Sequence, residues 1–137
     1  MARTVALDAW APRMLSVLRI VAGLCFLEHG TMKLLHFPES MGPGPLPPLM
    51  LVAGILELVG GALLVIGLLT RPVAFVLAGE MAIAYFMAHF SKSPYPALNG
   101  GEAAVLYCFI FLYLACAGGG PWGVDGWFNR RRPLSVR

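Results

Sequence analysis

The chain has 137 residues, of which 58% are hydrophobic and only 12% charged. A water-soluble domain of this size carries about 25% charged residues, so composition excludes that class and indicates a polytopic membrane protein. The formal net charge of +3 does not require nucleic acid, because arginines beside a span answer to the positive-inside rule and to anionic lipid headgroups.

Residues 1–12 read as a short mixed segment, with Trp10 ahead of Pro12 suited to a membrane–water interface. The start resembles a signal-peptide n-region, but the apolar stretch that follows is too long, holds internal charges and lacks a small-residue exit, so it is expected to remain as a helix. The first span covers residues 13–36, enough to cross about 30 Å of hydrocarbon. Pro38, Pro43, Pro45, Pro47 and Pro48 then favour an extended loop. A second span over 47–69 and a third over 72–90 are separated by Thr70-Arg71-Pro72, with Pro72 at a helix start, where its missing N–H costs nothing. After the loop SKSPYPALNGG comes a fourth, shorter span over 101–118. The tail, 119–137, brings Trp122, Trp127 and Phe128 to an interface and adds Arg130, Arg131, Arg132 and Arg137. The resulting expectation is one all-α domain, an antiparallel bundle of four transmembrane helices. Arg3, Arg13, Arg71 and the tail arginines put both termini in the cytoplasm.

Cys25, Cys108 and Cys116 all fall in apolar runs without a C-x-x-C pair and read as small core residues. Met81, Tyr85, Met87 and Tyr107 also suit the core, and the same residue types suit the wall of a flat apolar ligand.

The polar residues inside the spans carry the functional question, because ionisable groups in hydrocarbon are expensive and gather on ligand or proton paths. Glu28, Glu57 and Glu80 fall near one middle layer, and three bare carboxylates there require counter-charges or protons. Helical spacing puts Arg19, Phe26, His29, Gly30 and Lys33 on one face of the first span, with Glu28 nearly opposite Arg19 and without an assigned partner. Arg19 is expected to pair with Glu57, admitted by Gly54 and Gly61; such a pair serves either to set helix register or to line a site. His29 and Lys33 read as a ligand-facing pair. Lys33, His36, His89, Lys92 and Glu102 collect towards the far side. There Asn99-Gly100-Gly101-Glu102 reads as a capping box ahead of the fourth span, or as part of a binding site. The His and Glu spacing matches no metal-ligand motif.

These residues together resemble the DoxX family of small four-helix membrane proteins. The resemblance rests on Arg19; on FLEHGTMKLL from Phe26 to Leu35, with the family's H-G-x-x-K-L pattern; and on Glu57 followed by Gly60-Gly61-Ala62-Leu63-Leu64. It continues through Gly67-Leu68-Leu69-Thr70-Arg71 and Asn99-Gly100-Gly101-Glu102 to GPWGVDGWF at 120–128, similar to a closing G-P-G…S-L-D signature with Gly123 for Ser and Val124 for Leu. Glu28 stands where an apolar residue is more usual. The resemblance implies a bacterial inner-membrane protein tied to quinone-linked oxidation or to oxidative and thiol stress, since some relatives are thiosulfate:quinone oxidoreductase subunits. A quinone would need hydrogen-bond donors, for which His29, Lys33 and His89 are candidates, with Arg19, Glu57 and Glu80 managing protons. The chain has no haem, flavin or iron–sulfur attachment signal, so electron transfer would need a cytoplasmic redox partner. The competing expectation is a non-enzymatic scaffold that recruits a partner through its basic, aromatic tail or acts as a homo-oligomer. A small-solute or proton transporter is disfavoured, because four helices leave little room for alternating access.

Overall fold

The longest element is α1 (Ala2–Leu35), which runs through Pro12 without a break in the assigned helix. The computed structural model describes residues 2–130, with side chains from 7 to 128. The helix therefore starts about ten residues earlier than expected. Residues 9–14 around Pro12 are exposed, so the carbonyl that loses its partner there is open to solvent or headgroups rather than trapped in a core.

α2 (Pro48–Ile66) opens with proline in its first turn and closes on Gly67, whose left-handed φ of 70° lets its N–H reach the carbonyls of Leu63 and Leu64. Leu69 also has a positive φ, 53°, and α3 (Thr70–Ala84) follows immediately. It continues as a π-helical turn, Tyr85–His89. Thr70 and Arg71, expected in the break, are already helical, because the Leu69 and Thr70 N–H groups at the helix start are satisfied from a distant segment described below. A single turn, α4 (Pro96–Asn99), leads into α5 (Glu102–Ala117), and α6 (Val124–Arg130) closes the described chain.

All these elements are helical, and among the described residues there is no strand. Leu7–Leu35, Pro48–Ile66 and Thr70–His89 are each long and apolar enough to cross a membrane, and Glu102–Ala117 is a shorter apolar helix. The outer surface matches that reading: Phe75, Phe86, Leu106 and Phe109 are all more than 60% exposed.

Packing is strongest between α1 and α2 and between α3 and α5. Glycine sets the first contact. A Cβ at Gly30 would collide with the Leu58 backbone, one at Gly61 would lie 2.7 Å from the Leu27 nitrogen, and Gly54 lies against Lys33 and Leu34. The two backbones meet at van der Waals distance there, as small-residue seams allow in lipid. Against α3, Ala74, Leu77, Ala78 and Met81 pack with Ala104, Phe111 and Leu114 of α5. Phe26 of α1 joins the pairs, 4.9 Å from Phe111 and 5.5 Å from Tyr107 between ring centroids.

Met81 is buried, and Tyr85 and Tyr107 are half-buried, but Met87 faces outwards. Cys25 and Cys116 are exposed and Cys108 is half-buried, all three as free thiols. Cys108 packs against the core as its apolar surroundings suggested, whereas Cys25 and Cys116 do not: on a membrane helix both the core face and the lipid face are apolar, so hydrophobicity cannot tell the two apart.

Candidate functional site

Two polar centres lie inside the helices, at different depths. At one end Arg19 is completely buried, yet its partner is not Glu57. Its Nε donates to the Gly119 carbonyl at 2.8 Å, Nη1 to the carbonyls of Val65, at 2.8 Å, and Leu64, and Nη2 to the Trp122 carbonyl. The guanidinium thus caps the C-terminal end of α2, where a cation also suits the helix dipole, and ties it to the segment before α6. Two further caps surround it. Asp125 accepts the Leu69 and Thr70 N–H groups at 2.9 and 2.8 Å, which is why α3 begins at Thr70. Arg71 donates to the Ala115 and Cys116 carbonyls at the end of α5. Ser16 accepts the Trp122 N–H at 3.1 Å.

Arg19, Arg71 and Asp125 therefore form a structural clasp. A cleft of about 450 Å³ opens beside Thr70, Arg71 and Gly118–Gly120, but the charges on its walls are already spent on helix ends. Asp125→Ala should lower stability by about 1–2 kcal/mol, as loss of an N-cap does, read as a lower midpoint of thermal unfolding in detergent. An unchanged midpoint would remove Asp125 from the clasp.

The second centre lies deeper. Lys33 Nζ donates to both oxygens of Glu57, at 2.7 and 2.6 Å, with Lys33 8% and Glu57 4% exposed. Gly54, one turn before Glu57, leaves room for the Lys33 stem. The expected Arg19–Glu57 pair is excluded by distance along α1: Arg19 lies fourteen residues before Lys33 (33 − 19), about 21 Å at 1.5 Å per residue, beyond an arginine's reach. Glu80 of α3 is within electrostatic reach of both Glu57 and Lys33. Both its carboxyl oxygens are buried without a hydrogen-bond partner, a costly arrangement for any polar group.

The remaining candidates do not converge on this centre. His29 is exposed and meets Tyr107 edge-on, with ring centroids 6.4 Å apart. His89 Nδ1 lies 3.1 Å from the Asn99 carbonyl. Asn99 is buried and organises its loop: Nδ2 donates to the Ser93 carbonyl at 2.8 Å, and Oδ1 accepts the Gly101 N–H at 2.7 Å. Gly101 is the residue capping α5, and no side chain caps that end. The expected capping box is therefore absent: Asn99 spends its acceptor two residues on and Glu102 is exposed. Among the described residues no group of three or more His, Cys, Asp or Glu side chains is placed to hold a metal.

The family model described as DoxX matches residues 14–90, more than half the chain, and includes Lys33, Glu57 and Glu80 with the whole of α2 and α3. The chain belongs to the DoxX family. This DoxX protein is 44% identical over 131 residues to an uncharacterized protein of Haemophilus influenzae, covering 91% of this chain and 98% of that one. An uncharacterized membrane protein of Mycobacterium tuberculosis is 26% identical over 153 residues, covering 91% and 87% of the two chains. No solved structure matches. It is thus an integral membrane protein of the DoxX type.

Sequence reasoning found every member of the DoxX protein's deep centre but gave Glu57 the wrong partner. The deciding quantity is the axial offset of the two helices: Gly30 lies against Leu58 and Gly61 against Leu27, and that register puts Lys33, not Arg19, beside Glu57. Asp125 and Arg71 were missed as caps because nothing local marks a cap supplied from a remote segment.

Proposed function

We propose that this protein is a quinone-handling subunit of the bacterial inner membrane, a four-helix unit with both termini cytoplasmic. The supporting observation is Glu80: a buried carboxyl without a hydrogen bond, within electrostatic reach of a cation that Glu57 already engages. A protonated Glu80 donates to a quinone carbonyl, and an ionised Glu80 accepts from a quinol hydroxyl, so one residue serves both forms of the ligand. Tyr107 and Phe111, stacked on one another with Phe26 edge-on to Phe111, suit a flat ring. Lys33 and Glu57 then act as a fixed, net-neutral ion pair, with two of the three Lys33 donors committed to Glu57. His29, His89, Asn99 and Glu102 lie outside this reading. As the chain carries no attachment signal for a redox centre, it works as an accessory subunit, with electrons passing through a cytoplasmic redox partner.

The test is the organic extract of protein purified in mild detergent. Wild-type protein should carry a quinone, and Glu80→Leu should reduce it at least tenfold while the thermal midpoint holds or rises, because an orphaned buried carboxyl has been removed. An extract that is empty, and stays empty after quinone is added, would overturn the proposal.

A further inference from the structure

The outward face of α1 has a regular pattern that the deep centre does not use. Met14, Leu18, Val21, Cys25, Glu28, Met32 and Leu35 recur at alternating intervals of four and three residues, the spacing of a coiled-coil seam. All are exposed except Met32, which is half-buried; Met14, Val21 and Leu35 are 51%, 52% and 62% exposed. Glu28 and the adjacent His29, also exposed, lie at mid-span. Their neighbours Leu27 and Gly30 touch Gly61 and Leu58, near the centre of the 19-residue α2. Seven residues separate Glu28 from the end of α1 at Leu35, about 10 Å at 1.5 Å per residue, too far for a glutamate side chain to span. Tyr107, on the neighbouring helix, is within reach of Cys25 and Glu28, but no hydrogen bond accounts for the Glu28 carboxylate.

We infer that this face is the contact between two copies of the chain, packed α1 against α1 in parallel. The seam is self-complementary, as a two-fold contact requires. In a parallel pair each seam residue meets its own counterpart and the residue after it, so Glu28 of each copy faces His29 of the other and the two Cys25 thiols lie side by side. A single polar position in an otherwise apolar seam sets register and partner number. It also supplies a charged partner for Glu28, whose neighbour within its own chain is the Tyr107 side chain. This inference is independent of the quinone proposal.

The test uses full-length chains in native membranes, each retaining one cysteine and oxidised with copper–phenanthroline. The Cys25-only chain should give a reductant-sensitive band at twice the monomer mass, at least fivefold stronger than the Cys116-only chain, which controls for random collision. In the Cys25-only background, Glu28→Leu should reduce the band severalfold, and the exchange Glu28→His with His29→Glu should restore it. Equal bands from the two cysteines, a band indifferent to Glu28, a Cys25 adduct of another mass, or no adduct would each overturn the inference.

Discussion

Arg19→Ala is expected to be among the most damaging single substitutions in this protein, lowering the thermal midpoint in detergent by about 10 °C or more. The side chain is fully buried and satisfies four carbonyls, two at the end of α2 and two in the segment before α6. Each carbonyl left unpaired in a water-poor site costs about 1–3 kcal/mol. A loss of at least ~3 kcal/mol is therefore a conservative sum, and each kcal/mol moves the midpoint of a chain this size by about 3–4 °C. Arg19→Lys should fall in between, because an ammonium keeps the charge but loses the planar fork that reaches several acceptors at once. Adding Glu57→Leu should not rescue Arg19→Ala, since the two residues share no contact. Rescue would restore the Arg19–Glu57 pair and sink the clasp.

The second large effect is an asymmetry within the deep centre. Lys33→Met leaves Glu57 and Glu80 together without their cation, and removal of one member of a buried pair costs about 3–5 kcal/mol. Glu57→Leu should cost clearly less, because the released Lys33 remains beside Glu80, whose oxygens have no other partner. The double variant Lys33→Met with Glu57→Leu should return to within about 2 kcal/mol of wild type, since an apolar pair in place of a buried ion pair is often nearly neutral. Unfolding midpoints of the four proteins give the cycle. Equal losses for the two single variants would show that Glu80 does not share the lysine.

How much was legible can be judged from particular residues. The apolar spans were, because about 20 apolar residues in a row have few other fates, and so was the importance of Arg19, Lys33, Glu57 and Glu80, because charge inside hydrocarbon needs a reason. Partner choice was not. Arg19 and Lys33 are equally plausible mates for Glu57 until the axial offset between α1 and α2 is known. That offset is set by Gly30 on Leu58 and Gly61 on Leu27. The role of Asn99 also escaped a local reading: Asn-Gly-Gly-Glu has the spacing of a capping box, but folding the Ser93–Gly101 loop around the Asn99 side chain uses up the group that a cap would need.

By itself, then, the sequence determined that this chain enters a membrane, roughly where its helices run, and which ionisable residues cannot be incidental. These follow from local composition and from the cost of burying charge, which no partner abolishes. Only the tertiary structure decided that Arg19 ties helix ends together, that Lys33 serves Glu57, and that Glu80 is left without a hydrogen bond. Each of those depends on the rotation and axial offset of one helix against another, and in a chain whose core and lipid faces are equally apolar, hydrophobic periodicity does not encode either.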